Sequence, residues 1–203
     1  MATTTREVSG RTVSVTADDA LSPQVDRFFG VLHEIPAESF GDGLVFRAGW
    51  SAYSLAGTGT ALTVRCPDYV GDVTSDTENL SLALAVDAQQ AHVLSLAGVA
   101  AGKPAVFNEK VVLSEGALTA PRVVAQRSAP SGTGDSGWFV GTEGEDFEGV
   151  DSLEAVHVYQ LLELRPSLLQ ALALPEGYLA SFGDDTLEVV LDASDRVAYE
   201  RPR

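Results

Sequence analysis

Residues 76–97 read DTENLSLALAVDAQQAHVLSLA and carry the strongest secondary-structure signal in the chain. Leucines, alanines and valines recur in this stretch every three to four residues, which is the period of an α-helix. Ser75 and Glu78 have the spacing of a capping box, and Gly98 follows as a C-terminal cap. The pattern predicts a long apolar helix over about 76–97, and we expect a helix that is apolar on most sides to lie against a sheet.

Two shorter helices are predicted on either side of this segment. In the first, Pro23 suits the first turn and four apolar residues follow at helical spacing, which predicts a helix over about 22–35. In the second, Pro166 precedes a leucine-rich stretch, which predicts a helix over about 166–173.

The other apolar runs are short, rich in β-branched and aromatic residues, and separated by turn residues. Two pairs of such runs, joined near residues 57–59 and 183–185, have the form of hairpins. Strands and helices in mixed order predict an α+β fold with mixed or mainly antiparallel sheets. The first ten residues are polar and aperiodic, so we expect a loose terminus there.

The composition and net charge of the 203 residues argue against several classes of function. Hydrophobic residues make up 45% and charged residues 21%, which are ordinary values for a globular protein. The net charge of −16 argues against nucleic acid and anionic membranes as partners, because both need a positive footprint. No apolar stretch is long enough to span a bilayer and the N-terminus has no apolar signal core, so we expect a cytoplasmic protein.

Two glycine motifs suggest chemistry that their context does not support. Gly132, Gly134 and Gly137 have the spacing of a dinucleotide-binding loop, but strand-like residues follow where that loop needs a helix N-terminus. No cofactor is therefore predicted. Residues 134–137, GDSG, look like the nucleophile turn of trypsin-type serine proteases, a chemistry that also needs a histidine base and a buried aspartate.

The candidate bases and metal ligands are too scattered to form a site. The three histidines, His33, His92 and His157, lie far apart in the sequence, and Cys66 is the only cysteine. No metal site and no catalytic residue is predicted, and the chain is not expected to be an enzyme. Two alternatives stay open: a small hydrolase that uses Ser136, and an uncharacterised intracellular scaffold domain that forms a homodimer.

The stretch DSGWFVGTE at 135–143 resembles the hallmark of the bacterial immunity-protein domain family numbered thirty-three, which belongs to polymorphic toxin systems. In that family a D-S-G-W core precedes a G-x-E-like turn, a strand, a short leucine-rich helix opened by proline, and a pair of small and aromatic residues. The resemblance runs from about Val111 to Phe182. Arg165 departs from it, since the family usually has an acidic residue before the proline.

The resemblance implies a protein that binds and neutralises a bacterial toxin and catalyses no reaction. It divides the chain into residues 1–110, an N-terminal α+β half of unknown role, and residues 111–203, an immunity-protein-like α+β domain. No clean linker separates the two halves, which favours their packing as one unit. The partner is then a protein, with neither nucleic acid nor membrane involved, and the chain itself is a monomer or a homodimer.

Acidic residues are concentrated in the last third, where residues 135–203 hold 15 acidic and 4 basic side chains. Many toxins of the implied kind are nucleases with basic clefts, and an acidic inhibitor gains a fast association rate from electrostatic steering into such a cleft. Aromatic residues commonly anchor the centre of an interface. The candidate partner contacts are therefore Asp135, Trp138, Phe139, Glu143, Glu145, Asp146, Phe147 and Glu148.

Overall fold

A computed structural model of the protein describes residues 1–144 and 152–202. The chain divides into two compact units, Met1–Ala88 and Gln89–Arg203. Each unit combines one mixed β-sheet with short helices, so the predicted α+β class is confirmed. In the described part of the chain, no helix is both long and apolar enough to cross a membrane.

The first unit is built on a six-stranded sheet. Its strands are β1 (Ala2–Val8), β2 (Arg11–Ala17), β3 (Val45–Ala48), β4 (Ser51–Thr58), β5 (Ala61–Pro67) and β6 (Asp76–Thr77). The order is β1-β2-β5-β4-β3, with β6 paired to β5; β2 and β5 run parallel, and the other neighbours run antiparallel.

The expectation of a loose N-terminus is wrong, because β1 pairs with β2 along its whole length. Ser9 and Gly10 form the turn between them, both with a positive φ, as a tight two-residue hairpin turn requires. The strand carries few apolar residues because it lies at the edge of the sheet, so it shows none of the alternation that marks a half-buried strand.

Helix α1 (Ser22–Glu34) forms where the spacing predicts it. Its buried residues are the predicted apolar stripe: Val25, Phe28, Phe29 and Leu32. The stripe packs in one core with the inward-facing residues of β1, β2, β4 and β5. The periodicity and the tertiary packing agree here, so the sequence pattern is a reliable guide to this helix.

Helix α2 is shorter than predicted, and the long apolar helix over about 76–97 is wrong. The helix covers Ser81–Leu96, which is 16 residues. Asp76 and Thr77 instead form β6 against β5. The side-chain oxygen of Asn79 accepts hydrogen bonds from the Ser81 N–H at 3.1 Å and the Ser81 hydroxyl at 2.6 Å. Strand pairing and this side-chain turn at Asn79 thus replace the helical hydrogen bonds that the Ser75–Glu78 spacing predicts.

The second unit contains a seven-stranded sheet. Its strands are β7 (Lys110–Ser114), β8 (Arg122–Arg127), β9 (Asp135–Thr142), β10 (Leu153–His157), β11 (Leu179–Gly183), β12 (Thr186–Leu191) and β13 (Val197–Glu200). The order is β10-β7-β9-β8-β11-β12-β13, with β7 and β9 parallel and the other neighbours antiparallel.

A 3-10 helix over Val158–Gln160 follows β10, and two further short helical segments lie between it and β11. They are α3 (Leu161–Leu164) and a 3-10 helix over Pro166–Ala171, which lies where the longer helix over about 166–173 is predicted. The second segment buries Leu168, Leu169 and Ala171. The indole N–H of Trp138 on β9 donates to the Leu172 carbonyl oxygen, which ties the end of this segment to the core face of the sheet.

Candidate partner-binding site

The D-S-G-W motif lies at the start of β9, where the strand bulges. Lys110 of β7 is opposite Asp135, and Val112 is opposite Phe139, so three residues of β9 occupy the space of one residue of β7. A bulge of this kind re-aims side chains and interrupts the regular pairing of the strands. Each residue of the motif has a hydrogen-bonding or packing partner at this bulge.

Asp135 closes the turn that leads into the strand. Its carboxylate accepts hydrogen bonds from the Ser131 N–H at 2.7 Å, the Ser131 hydroxyl at 2.6 Å and the Gly137 N–H at 2.8 Å. These hydrogen bonds hold the pKa of the Asp135 carboxyl below its ordinary value, because they stabilise the charged form. The Asp135 side chain therefore stabilises the turn between Ser131 and Gly137.

Ser136 is only 1% exposed, and its hydroxyl is engaged by the backbone. The hydroxyl donates to the Lys110 carbonyl oxygen at 2.6 Å and accepts from the Trp138 N–H at 3.2 Å. His157, the histidine on the nearby edge strand, places its Nδ1 atom 2.9 Å from the Asn108 carbonyl oxygen. Within the described residues, the hydroxyl that a hydrolase would need is held by backbone groups and not by an imidazole base.

Gly137 and Trp138 complete the bulge. Gly137 has a φ of +75°, and a Cβ atom at this position would lie 2.2 Å from the Ser128 carbonyl oxygen, so no other residue fits without strain. Trp138 is 1% exposed, and its indole N–H lies 3.3 Å from the Leu172 carbonyl oxygen. The structure thus places this predicted contact residue in the core.

Arg127, which the sequence analysis does not single out, lies beside Trp138. Its guanidinium carbon is 5.7 Å from the centroid of the Trp138 ring. Its Nη1 atom donates to the carbonyl oxygens of Lys103 and, at 2.7 Å, of Leu174. Burial lowers the pKa of the guanidinium. The alternation along β8, which puts Arg127 on the same face as the buried Ala125, is the sequence signal that could have revealed it.

Of the other predicted contact residues, two lie among the described residues and four do not. Phe139 is half-buried, and Glu143 is exposed and forms an ion pair with Arg122, which also pairs with Glu188 at 2.6 Å. The remaining four lie outside the described residues: Glu145, Asp146, Phe147 and Glu148. The role of this set as partner contacts stays a prediction.

Arg165, the departure from the family pattern, is 5% exposed and has two partners. Its Nε atom lies 2.7 Å from Oδ1 of Asp185, and its Nη1 atom donates to the Ala117 carbonyl oxygen at 2.7 Å. Hydrogen bonds from the Ser167 hydroxyl and Arg165 lower the pKa of the Asp185 carboxyl. The arginine therefore holds two loops together before the 3-10 helix begins.

Within the described residues there is neither a metal-binding cluster nor a thiol with a lowered pKa. Over residues 1–144 and 152–202, no three His, Cys, Asp or Glu side chains are grouped so that they could hold a metal ion. Burial raises the pKa of the Cys66 thiol to about 12, so the thiol is protonated at neutral pH and is a weak nucleophile.

These features define an α+β protein whose signature residues build a strand bulge in the second sheet. The family model of the Imm33-like domain matches residues 89–193, just over half of the chain. The chain belongs to this family of immunity proteins, which confirms the resemblance that the D-S-G-W stretch indicates. No curated protein and no solved structure matches the chain.

Proposed function

We propose that this chain binds a bacterial protein toxin in the cytoplasm and neutralises it by covering the toxin's active site. The observation that carries the proposal is membership of the Imm33-like domain family over residues 89–193. In this proposal the chain acts as a stoichiometric inhibitor and catalyses no reaction.

The chemistry of the D-S-G-W motif supports binding over catalysis. The Ser136 hydroxyl and the Asp135 carboxylate both form hydrogen bonds with nearby backbone groups. A nucleophile needs a general base within hydrogen-bond reach and an accessible hydroxyl, and a serine that is 1% exposed and bound to a carbonyl oxygen offers neither. The motif is better explained as part of the scaffold that presents a binding surface.

The charge of the chain supports a basic partner. The net charge is −16, and acidic residues are most concentrated after residue 135. A toxin with a cationic cleft would be attracted over a distance of about one Debye length, roughly 8–10 Å in physiological salt. We therefore propose that the acidic stretch from Asp135 to Asp151, with Glu143 at the end of β9, contributes to the contact.

Capture from the native host tests the proposal. Wild type is compared with a loop variant in which Glu143, Glu145, Asp146 and Glu148 are changed to lysine. The control variant carries the same four-residue charge reversal at exposed acidic residues of the first unit, namely Glu7, Asp19, Glu34 and Glu38. We expect wild type and the control to retain one toxin and to rescue the growth of cells that express that toxin. We expect the loop variant neither to retain the toxin nor to rescue growth.

Two other outcomes would each contradict part of the proposal. If wild type retains no toxin, or fails to rescue growth against the protein it retains, the proposed function is wrong. If all three proteins retain the toxin equally, neutralisation stands and the acidic stretch is not its contact.

A further inference from the structure

One face of the seven-stranded sheet carries Trp138 and the core, and the opposite face is defined here as the open face. A row of directly opposed residues crosses all seven strands on the open face: Ala155, Val112, Phe139, Gln126, Leu179, Leu191 and Val197. All are half-buried or exposed, and Val197 is 59% exposed. A second row contains Val124, Ser181, Val189 and Glu200. The open face is therefore mainly apolar.

The six-stranded sheet of the same chain shows what a solvated sheet face looks like. There the corresponding row contains Thr5, Ser14, Thr63 and Ala56. Neighbouring hydroxyls hydrogen-bond on that face, as between Thr3 and Thr16 at 2.9 Å. A sheet with one face in water usually alternates apolar inward and polar outward residues. The six-stranded sheet follows this rule, whereas the open face places valine and leucine where polar residues are expected.

The dimensions of the open face suit a protein interface. Strands in a sheet lie about 4.8 Å apart, so a row across seven strands is about 29 Å wide. A standard interface buries roughly 800 Å² on each partner, which corresponds to a patch roughly 30 Å across. Six of the seven residues of the first row are apolar, and exposed apolar patches larger than a few hundred Å² are typical of interaction sites.

The β13 end of the open face is charged, with three carboxylates (Glu143, Glu188 and Glu200) and two guanidinium groups (Arg122 and Arg201). Arg122 lies between Glu143 and Glu188, so two carboxylates share one guanidinium. Arg122, Arg201, Glu188 and Glu200 line a surface groove of about 500 Å³ at this end of the sheet. Among the ion pairs of the described residues, none involves Glu200. A second copy placed on this face would bring together two chains that each carry a net charge of −16, which repel each other.

We infer that the open face is the docking surface for a basic protein that presents an apolar patch ringed by lysine or arginine. Leu179, Leu191 and Val197 supply apolar contacts on β11, β12 and β13, and Glu188 and Glu200 supply carboxylates at the same end of the sheet. The inference rests on the proposed function, because the basic partner is the toxin. It assigns the contact to described residues of the sheet face.

The test uses the toxin that wild type retains, purified and titrated against variants of the full chain by calorimetry. The open-face variant is Leu179→Thr/Leu191→Thr/Val197→Thr, which copies the polar residues of the six-stranded sheet without a change in charge. The matched control is Val45→Thr, an exposed valine on the edge strand of the other sheet, 69% exposed. We expect Kd to rise about tenfold or more in the open-face variant and less than twofold in the control.

The outcomes separate the two proposals. An unchanged Kd in the open-face variant overturns the docking surface and leaves neutralisation intact, whereas a wild type that retains no toxin overturns the proposed function and the assigned partner with it. A wild-type dimer in light scattering that the open-face variant converts to a monomer would assign the face to a second copy and overturn the inference. If circular dichroism shows that the triple variant does not fold, the single variant Val197→Thr is compared with Val45→Thr instead. We then expect Kd to rise about threefold for Val197→Thr, and an unchanged Kd would overturn the inference.

Discussion

Asp87 of α2 is a carboxylic acid of the first unit whose pKa burial raises strongly. Its carboxyl lies 3.4 Å from the Trp50 N–H and 3.5 Å from the Tyr53 hydroxyl. Burial raises the pKa of the carboxyl to about 7 from an ordinary value of 3.8, and these two hydrogen bonds offset only part of the effect. No cation is paired with it among the described residues.

Asp87→Asn is expected to stabilise the protein at alkaline pH. Between about pH 4 and pH 7 the folded state binds more protons at this site than the unfolded state, so its contribution to the free energy of unfolding falls as the pH rises. Above pH 7 the whole cost of the buried charge is present. Urea unfolding at pH 8 should show the variant about 2–4 kcal/mol more stable than wild type, and at pH 4 the two should be nearly equal. A stability difference that does not change with pH would contradict this account.

Gly137 tests whether the D-S-G-W motif is structural. Gly137→Ala adds a Cβ atom at 2.2 Å from the Ser128 carbonyl oxygen, in addition to the strain of a φ of +75°. The control is Gly134→Ala, where φ is +83° and no atom lies within 4 Å of the added Cβ. Urea unfolding should show a loss of roughly 1 kcal/mol for the control and at least about 2 kcal/mol more for Gly137→Ala. Equal losses would mean that the close approach to Ser128 does not constrain the motif.

At the scale of elements, local patterns predict structure where tertiary packing agrees with them. The apolar stripe of α1 faces the core at the period that the sequence shows, so this helix could be predicted. Residues 76–79 could not, because they pair with β5 and the end of β2, which lie far away in the sequence. Strand β1 escapes detection for a different reason: its partner β2 follows directly in the chain, but its own threonine-rich sequence lacks the apolar alternation that marks a strand.

Arg165 joins two such elements, and its loss should be costly. Arg165→Ala removes a buried guanidinium from Asp185 and leaves the Ala117 carbonyl oxygen without its donor. Asp185 is 64% exposed and stays solvated, so the cost comes from the Ala117 carbonyl oxygen that loses its donor, about 1–3 kcal/mol, which thermal or urea unfolding would detect. The control is Arg196→Ala, which removes a guanidinium that is 77% exposed from its pair with Asp192, and we expect a change of less than about 1 kcal/mol there. Equal effects of the two substitutions would contradict the role assigned to Arg165.

At the scale of the whole molecule, the sequence predicts the family and the net charge. It does not predict which residues share the open face of the seven-stranded sheet. The D-S-G-W stretch is sufficient to indicate an Imm33-like domain, because its residues are contiguous. The open face is invisible in the sequence, since it depends on which strand lies beside which and on the register of each pair. Trp138 illustrates the limit, because an aromatic residue in a strand has equal reason to face the core or a partner.

The net charge leads to a prediction about association. If a basic toxin is steered by the −16 charge, its association rate constant should fall by about tenfold or more between 50 and 500 mM NaCl, while the dissociation rate constant changes less. Stopped-flow mixing of the two proteins measures both rates. An association rate that does not depend on salt would show that the acidic residues play no part in the encounter.

The central claim, that the chain inhibits by occupancy and not by turnover, is tested most directly by titrating toxin activity against added protein. Binding without catalysis predicts a linear loss of activity that reaches zero at one chain per toxin, with Ser136→Ala giving the same end point. Complete inactivation of the toxin at a small fraction of one equivalent, abolished by Ser136→Ala, would contradict the claim and reveal an enzyme.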